Sequence, residues 1–234
     1  MEQLLTTQFW LGLGTIIWVN IILSGDNAVV IALAARSLPP HQQKQAILWG
    51  AGAAVVLRII LTIVAVKLLE LPFLKLAGAA ALLWIAVQLL IPEEDGAGEV
   101  ESSSHLIGAI KTILIADLVM STDNVIAVAA VAKDSILLLV LGLVISIPLV
   151  IFGATVLMKL MERYPIIITL GAAILGWTAG EMAVTDPAIA GWVEANIEWM
   201  ESLYVAPIVG AAVVVVVGKW IAGRKQPTPE NEQA

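Results

Sequence analysis

The chain has 234 residues, of which 60% are hydrophobic and 13% are charged, and its formal net charge is −7. Soluble globular proteins carry about 25% charged residues, so the chain has about half the charge that a water-facing surface requires, which excludes a soluble protein. The lack of cysteine excludes disulfide scaffolds and thiolate chemistry, and the lack of a basic face excludes nucleic-acid binding. The composition therefore predicts an all-α polytopic membrane protein.

Seven apolar stretches are each long enough for a transmembrane helix, since a bilayer core of about 30 Å needs about 20 apolar residues. They cover residues 9–35, 45–66, 72–91, 106–132, 135–158, 164–184 and 203–222. The first stretch is too long for the core of a signal peptide, and only Glu2 is charged before it. We therefore expect it to remain in the protein as the first span.

Two segments outside the spans have their own character. Residues 186–202 carry Glu194, Glu198 and Glu201 at helical spacing, which predicts an amphipathic helix in the outer interface. Residues 223–234 contain two prolines and are predicted to form a disordered tail.

Basic residues predict the orientation, because cytoplasmic loops carry an excess of lysine and arginine. With the N-terminus outside and the C-terminus inside, seven basic residues fall on the inner side: Arg36, Lys44, Lys159, Arg163, Lys219, Arg224 and Lys225. Only Lys67, Lys75 and Lys133 then fall outside. The loop of residues 92–105 argues against this orientation, since it would be cytoplasmic and has no basic residue.

An internal repeat relates the two halves of the chain. The first span aligns with the fourth at an offset of 97 residues, NIILSGDNAVVIALAAR on DLVMSTDNVIAVAAVAK, and the third aligns with the sixth at an offset of 93, GAAALLWIAVQ on GAAILGWTAGE. Each copy has three spans, so the second copy must enter the membrane from the opposite side. The sequence predicts a 3+3 inverted repeat, residues 1–105 with an acidic loop and residues 106–185, followed by a separate seventh helix at 203–222.

The spans contain four acids, and Arg58 is the one base that lies away from the span ends. An ionised side chain at the bilayer centre costs about 2.5–3.5 kcal/mol, so we expect Arg58 to neutralise one acid and a cation, protons or both to balance the other three. The available oxygen ligands suit Mg²⁺, Ca²⁺ or Mn²⁺. The candidate ligands are Asn20, Ser24, Asp26, Asn27, Asp117, Ser121, Asp123, Asn124 and Glu181.

Other roles remain open for some of these residues. Asn20, Ser24 and Ser121 could instead join helices through hydrogen bonds. Glu181 could be a ligand, a proton carrier or a carboxylate at the membrane surface.

The candidate ligands do not share one face of a regular helix. Asp26 points about 120° away from the face that holds Asn20, Ser24 and Asn27. A break in the helix would bring Asp26 inward, and Gly25 permits unusual backbone angles there. The second copy has hydroxyl residues at the equivalent place, so we predict discontinuous first and fourth helices whose freed carbonyls add ligands.

The doubled S-G-D-N and S-T-D-N strings, each followed by an apolar run ending in Arg36 or Lys133, resemble the TerC family, and most closely its short YjbE-type members. The resemblance implies a seven-span bacterial inner-membrane protein of the lysine-exporter-like superfamily that exports manganese. It also implies that Asp26 and Asp123 are the motif acids, with Asn20, Asn27, Asp117 and Asn124 beside them. Family members have also been linked to loading manganese into exported enzymes.

We therefore expect a secondary transporter, not an enzyme, that exports Mn²⁺ in exchange for protons. Clustered acids can exchange a metal for protons, and the sequence has no ATP-binding P-loop; the direction of transport rests on the resemblance. The expected partners are lipid, the cation and protons, without a permanent cofactor, and the pattern specifies no oligomeric state. Two alternatives stay open: a scaffold that metallates exported proteins, motivated by the acidic segment 186–202, and an intramembrane aspartyl hydrolase.

Overall fold

A computed structural model describes residues 7–64, 71–91, 99–132, 136–197 and 204–225. All regular secondary structure within these residues is helical, as predicted. The helices are α1 (Thr7–Leu23), α2 (Gly25–Ala35), α3 (Pro40–Val64), α4 (Leu74–Leu90), α5 (Glu99–Ala132), α6 (Ile136–Arg163), α7 (Ile166–Val184), α8 (Ala190–Asn196) and α9 (Val205–Lys225).

The helix bundle exposes apolar side chains and buries polar ones. Leu11, Phe152 and Val216 are about two-thirds exposed, whereas Asn20 and Asp117 are buried. Lipid tails solvate such an apolar exterior, while a polar interior is satisfied by internal hydrogen bonds. Within the described residues, α3, α6, α7 and α9 are long and apolar enough to cross a membrane, and the bent pair of α1 and α2 makes a fifth if the two helices are taken as one span.

The first span is broken at Ser24, where α1 and α2 meet at an angle of 49°. Ser24 has φ −107° and ψ 3°, outside the helical range, so the predicted break is confirmed. Gly25 does not supply a left-handed backbone, because no described glycine has a positive φ. It favours the break through the cost of glycine in a helix interior, about 1 kcal/mol relative to alanine.

The predicted break in the fourth span is wrong. α5 continues as one helix through Ser121 and Thr122 to Ala132. The second copy has Thr122 where the first has Gly25, and threonine is less costly than glycine inside a helix.

The short helix α2 lies at the centre of the bundle. Every residue from Asn27 to Ala35 is buried, and α2 contacts α3, α5, α6 and α7. Its many alanines and valines are small enough for backbones to pack closely on several sides. The second half of the first span is therefore shielded by protein, and Asp26 and Asn27 begin that half.

α7 and α9 are joined by backbone contact between glycines. A Cβ added to Gly180 would lie 2.1 Å from the carbonyl oxygen of Ala206, and one added to Gly210 would lie 2.1 Å from that of Gly176. Gly176 and Gly180 form a G-x-x-x-G pattern on α7, the spacing that brings membrane helices close together. These contacts attach the last helix firmly to the rest of the bundle.

Two predicted boundaries change. α5 begins at Glu99, so the last part of the loop placed at 92–105 is helical, and α9 ends at Lys225, so the first three residues of the tail placed at 223–234 are helical. Basic residues at a helix C-terminus favour this extension, and residues 226–234 lie outside the described part. A helix, α8, forms within the segment 186–202 and holds Glu194, while Glu198 and Glu201 fall outside the described residues.

Candidate cation site

The guanidinium of Arg58 on α3 lies at the centre of a buried polar cluster. Its Nε donates to Ser121 Oγ at 2.9 Å and its Nη1 to Asn20 Oδ1 at 2.9 Å. Nη1 also reaches Ser24 Oγ at 3.5 Å, and Nη2 pairs with Asp117 Oδ1. Four of the nine candidate ligands thus surround one arginine, and we call these five residues the Arg58 cluster.

Helix packing brings the Arg58 cluster together. Asn20 is at the end of α1 and Ser24 is at the bend, while Asp117 and Ser121 are one turn apart on α5. Ser121 Oγ donates to Asp117 Oδ2 at 3.1 Å, which holds the carboxylate in place. All five side chains are buried, so the bend in the first span sits directly against the middle of α5.

The ion pair makes the described cluster electrically neutral. Arg58 and Asp117 carry opposite charges, and the remaining members are neutral. The prediction that Arg58 neutralises one aspartate is confirmed, and the partner is Asp117. A buried pair of this kind loses about 3–5 kcal/mol when one partner is removed, because the other charge is left uncompensated.

Asn20 also connects to α6. Its Nδ2 donates to Ser146 Oγ, and that hydroxyl donates to the carbonyl of Leu143 at 2.7 Å. Asn20 therefore accepts a bond from Arg58 and gives one to Ser146. The interhelical role that the sequence left open for Asn20 is confirmed.

A cavity of about 20 Å³ adjoins the cluster. This volume suits one water molecule or one dehydrated metal ion. Oxygen atoms and aliphatic carbon share its wall, which is lined by Asn20, Ser24, Asn27, Ile31, Ala51, Ala54, Val55, Arg58, Asp117, Ser146, Ile147 and Val150.

The two motif residues of the first copy face different surroundings. Asn27 is buried and lines the cavity. Asp26 is half-buried, and its Oδ1 accepts the backbone N–H of Asn27 at 2.8 Å. A carboxylate in the first turn is stabilised by the positive end of a helix, so Asp26 stabilises the start of α2 in this conformation.

Three further candidate ligands are Asp123, Asn124 and Glu181. The side chains of Asp123 and Asn124 lie outside the described part, although their backbone belongs to α5. Glu181 on α7 is exposed and is not part of the Arg58 cluster. Among the described residues, no three His, Cys, Asp or Glu side chains form a group that could hold a metal.

Asp186 was counted in the acidic outer segment, but it is a buried structural residue. Its Oδ1 accepts the backbone N–H groups of Phe73 at 2.9 Å and Ala188 at 2.8 Å, and its Oδ2 accepts that of Leu76 at 3.0 Å. Burial raises the pKa of this carboxyl, but these hydrogen bonds outweigh burial and lower the pKa below its ordinary value of 3.8. Asp186 thus attaches the loop after α7 to the start of α4, a role that the T-D-P turn signal could have suggested.

Comparisons place these features in a family. The profile of the Integral membrane protein TerC family matches residues 5–226. The uncharacterized membrane protein YjbE of Bacillus subtilis is 44% identical over 183 residues, covering 78% of this chain and 84% of the relative. The UPF0053 inner membrane protein YgdQ of Escherichia coli K12 is 26% identical over 183 residues, covering 71% and 77%. No solved structure matches the chain.

Proposed function

Because the chain belongs to the TerC family of integral membrane proteins, we propose that it is a secondary transporter that exports a divalent metal cation, Mn²⁺, in exchange for protons. The observation that carries the proposal is the buried, oxygen-rich Arg58 cluster beside a bend in a membrane span. Bent spans of this kind form the substrate sites of secondary transporters. Carboxylate, amide and hydroxyl oxygens are ligands that Mn²⁺ accepts.

The proposal includes seven spans arranged as a 3+3 inverted repeat, and helix contacts support it. α3 packs on α5 as α6 packs on α1, and α4 packs on α5 as α7 packs on α2. In addition, α3 contacts α6, and α4 contacts α7. If the two repeats are exchanged, α1 and α2 take the place of α5, α3 that of α6, and α4 that of α7. Each of these contacts then coincides with another of them or with itself.

Side-chain contacts support the same repeat. A Cβ on Gly50 would lie 2.7 Å from the side chain of Ile113, and one on Gly142 would lie 2.3 Å from that of Ile16. The two isoleucines are 97 residues apart, which is the offset of the first and fourth spans. The two glycines are 92 residues apart and supply an offset for the second and fifth spans.

Residues of both predicted repeats line the cavity, which favours a position at the interface between them. At the offset of 92, Ala54 matches Ser146 and Val55 matches Ile147, and all four line the cavity. Substrate sites of inverted-repeat transporters lie at this interface. This placement favours the cavity as the binding site, and four of the nine proposed ligands line it: Asn20, Ser24, Asn27 and Asp117. The N-out, C-in orientation remains part of the proposal.

The segment 186–202 motivated the scaffold alternative, and its described part exposes fewer acids than the sequence suggests. Asp186 is buried and bonded to backbone amides, which leaves Glu194 as the exposed acid in the described part of that segment. Transport is therefore the function that the geometry supports best.

The proposal is tested by the manganese content of metal-stressed cells expressing the wild type, Asp26→Asn or Asp123→Asn. Glu162→Gln is the matched control, because it makes the same change at an exposed acid near the end of α6. The wild type and the control should lower cellular Mn²⁺, while both aspartate variants fail although they reach the membrane. Equal contents of Mn²⁺, Mg²⁺, Ca²⁺ and Zn²⁺ in all cells would overturn the proposal, and transport that continues after collapse of the proton gradient would remove proton exchange.

A further inference from the structure

Arg58 occupies oxygen atoms that the proposed cation would need. Asn20 Oδ1, Ser24 Oγ, Ser121 Oγ and the Asp117 carboxylate all accept from its guanidinium. We propose that Arg58 is a tethered cation, which fills the transport site when the metal is absent and is displaced when the metal binds. This inference rests on the proposed function and adds a competitor that is part of the chain.

The two cations exclude one another on geometric grounds. A divalent metal ion binds oxygen directly at about 2.0–2.6 Å, whereas the guanidinium holds the oxygens of Asn20 and Ser121 through N–H bonds of 2.9 Å. The cavity beside these atoms measures about 20 Å³ with Arg58 in place, so a metal ion that enters it binds these oxygens only after the guanidinium has released them. Repulsion between the two positive charges adds to this exclusion in a buried site.

The repeat provides an internal comparison that argues against a purely structural ion pair. The equivalent of Arg58 at the offset of 92 is Val150, and the equivalent of Asp117 is Asn20. In that half, Asn20 bonds to Ser146 and joins α1 to α6 without any charge. The same helix contact therefore forms without an ion pair. A buried ion pair costs desolvation free energy that this contact does not require. In the other half, the charged pair places a guanidinium beside the cavity.

A tethered cation has a specific consequence for transport. With Arg58 seated, the empty site keeps its charge balance, so the empty carrier can return across the membrane. Without the guanidinium, the empty site has an uncompensated carboxylate, which opposes the return step. Exchange of one metal ion for another needs no empty return, so it does not depend on Arg58.

The test uses the purified full chain reconstituted in liposomes, with Mn²⁺ as the probe. Wild type, Arg58→Gln and Arg58→Lys are compared in Mn²⁺ binding, net Mn²⁺ flux and exchange of radioactive Mn²⁺ for unlabelled Mn²⁺. Thr62→Val is the control, because Thr62 bonds the backbone carbonyl of Arg58 at 2.7 Å and not the guanidinium. If the guanidinium fills the site in nine-tenths of empty molecules, Arg58→Gln lowers the apparent Kd for Mn²⁺ about tenfold.

Substitution of Arg58 should affect net Mn²⁺ flux and Mn²⁺ exchange differently. Arg58→Gln is expected to retain exchange and lose net flux, while Arg58→Lys keeps the positive charge and retains both. Should Arg58→Gln not fold, Arg58→Lys still decides the question: its ammonium cannot form the guanidinium fork, so it must bind Mn²⁺ more tightly than the wild type. Unchanged Mn²⁺ affinity in every folded Arg58 variant, or equal losses of net flux and exchange, overturns the tethered cation alone. A wild type that neither binds nor moves Mn²⁺ removes the proposed function as well.

Discussion

Gly180→Ala should separate α7 from α9 and lower the stability of the protein. The new Cβ would lie 2.1 Å from the carbonyl oxygen of Ala206 and 2.6 Å from its carbonyl carbon. Carbon–oxygen contacts lie at about 3.3 Å or more, so the two backbones must move apart by about 1.2 Å. Overpacking costs about 1–3 kcal/mol, and the upper end applies because backbone atoms cannot rotate away. At about 2–4 °C per kcal/mol, the melting temperature falls by about 6–12 °C.

The assay is thermal unfolding of the detergent-solubilised protein, followed by loss of the monodisperse peak in size-exclusion chromatography. Gly52→Ala is the matched control, since it is also inside a membrane helix but has no atom within 4 Å of the added Cβ. That control should keep or raise the melting temperature, because alanine is a better helix former than glycine by about 1 kcal/mol. Identical melting temperatures for Gly180→Ala and Gly52→Ala would refute the backbone contact between α7 and α9.

Two further predictions concern other contacts. Asp186→Asn should cost about 1.5–3 kcal/mol, because the amide nitrogen that replaces one oxygen cannot accept a backbone N–H. The pKa of Asp186 is lowered in the folded state, so its stabilisation is complete above the unfolded pKa and is lost as the pH falls through the folded pKa. The difference in melting temperature between wild type and variant should therefore shrink on acidification below pH 4, and a difference independent of pH would contradict this assignment. Gly142→Ala places a Cβ 2.3 Å from Cγ2 of Ile16, and Ile16→Ala removes that atom. The double variant should therefore lose less stability than the two single variants lose when their losses are added together. Strictly additive losses would contradict the contact.

The break in the first span and the pairing of Arg58 could both be read from the sequence. Gly25 weakens the helix locally, and a base in the middle of a membrane span requires an acidic partner. The identity of that partner could not be read, because it depends on how α3 packs against α5. Asp117 is 59 residues from Arg58 in the chain, and no local spacing rule covers such a contact.

The repeat alignment was informative for packing but less so for the direction of side chains. It matched Glu181 with Gln88, yet both are exposed. Equivalent positions in a repeat share a place on a helix, and that place can face outward in both copies. The G-x-x-x-G pattern on α7 was present in the sequence, but only the position of α9 reveals which backbone it approaches.

The enclosure of α2 also bears on how the protein is made. A segment that leaves its preceding helix at 49° and is buried from Asn27 to Ala35 cannot reach its final surroundings when it first enters the membrane. Its neighbours include α5, α6 and α7, which the ribosome produces later. The first span is therefore completed only after the second half of the chain has been synthesised, and a chain that stalls before α5 leaves the motif of the first copy without these neighbours.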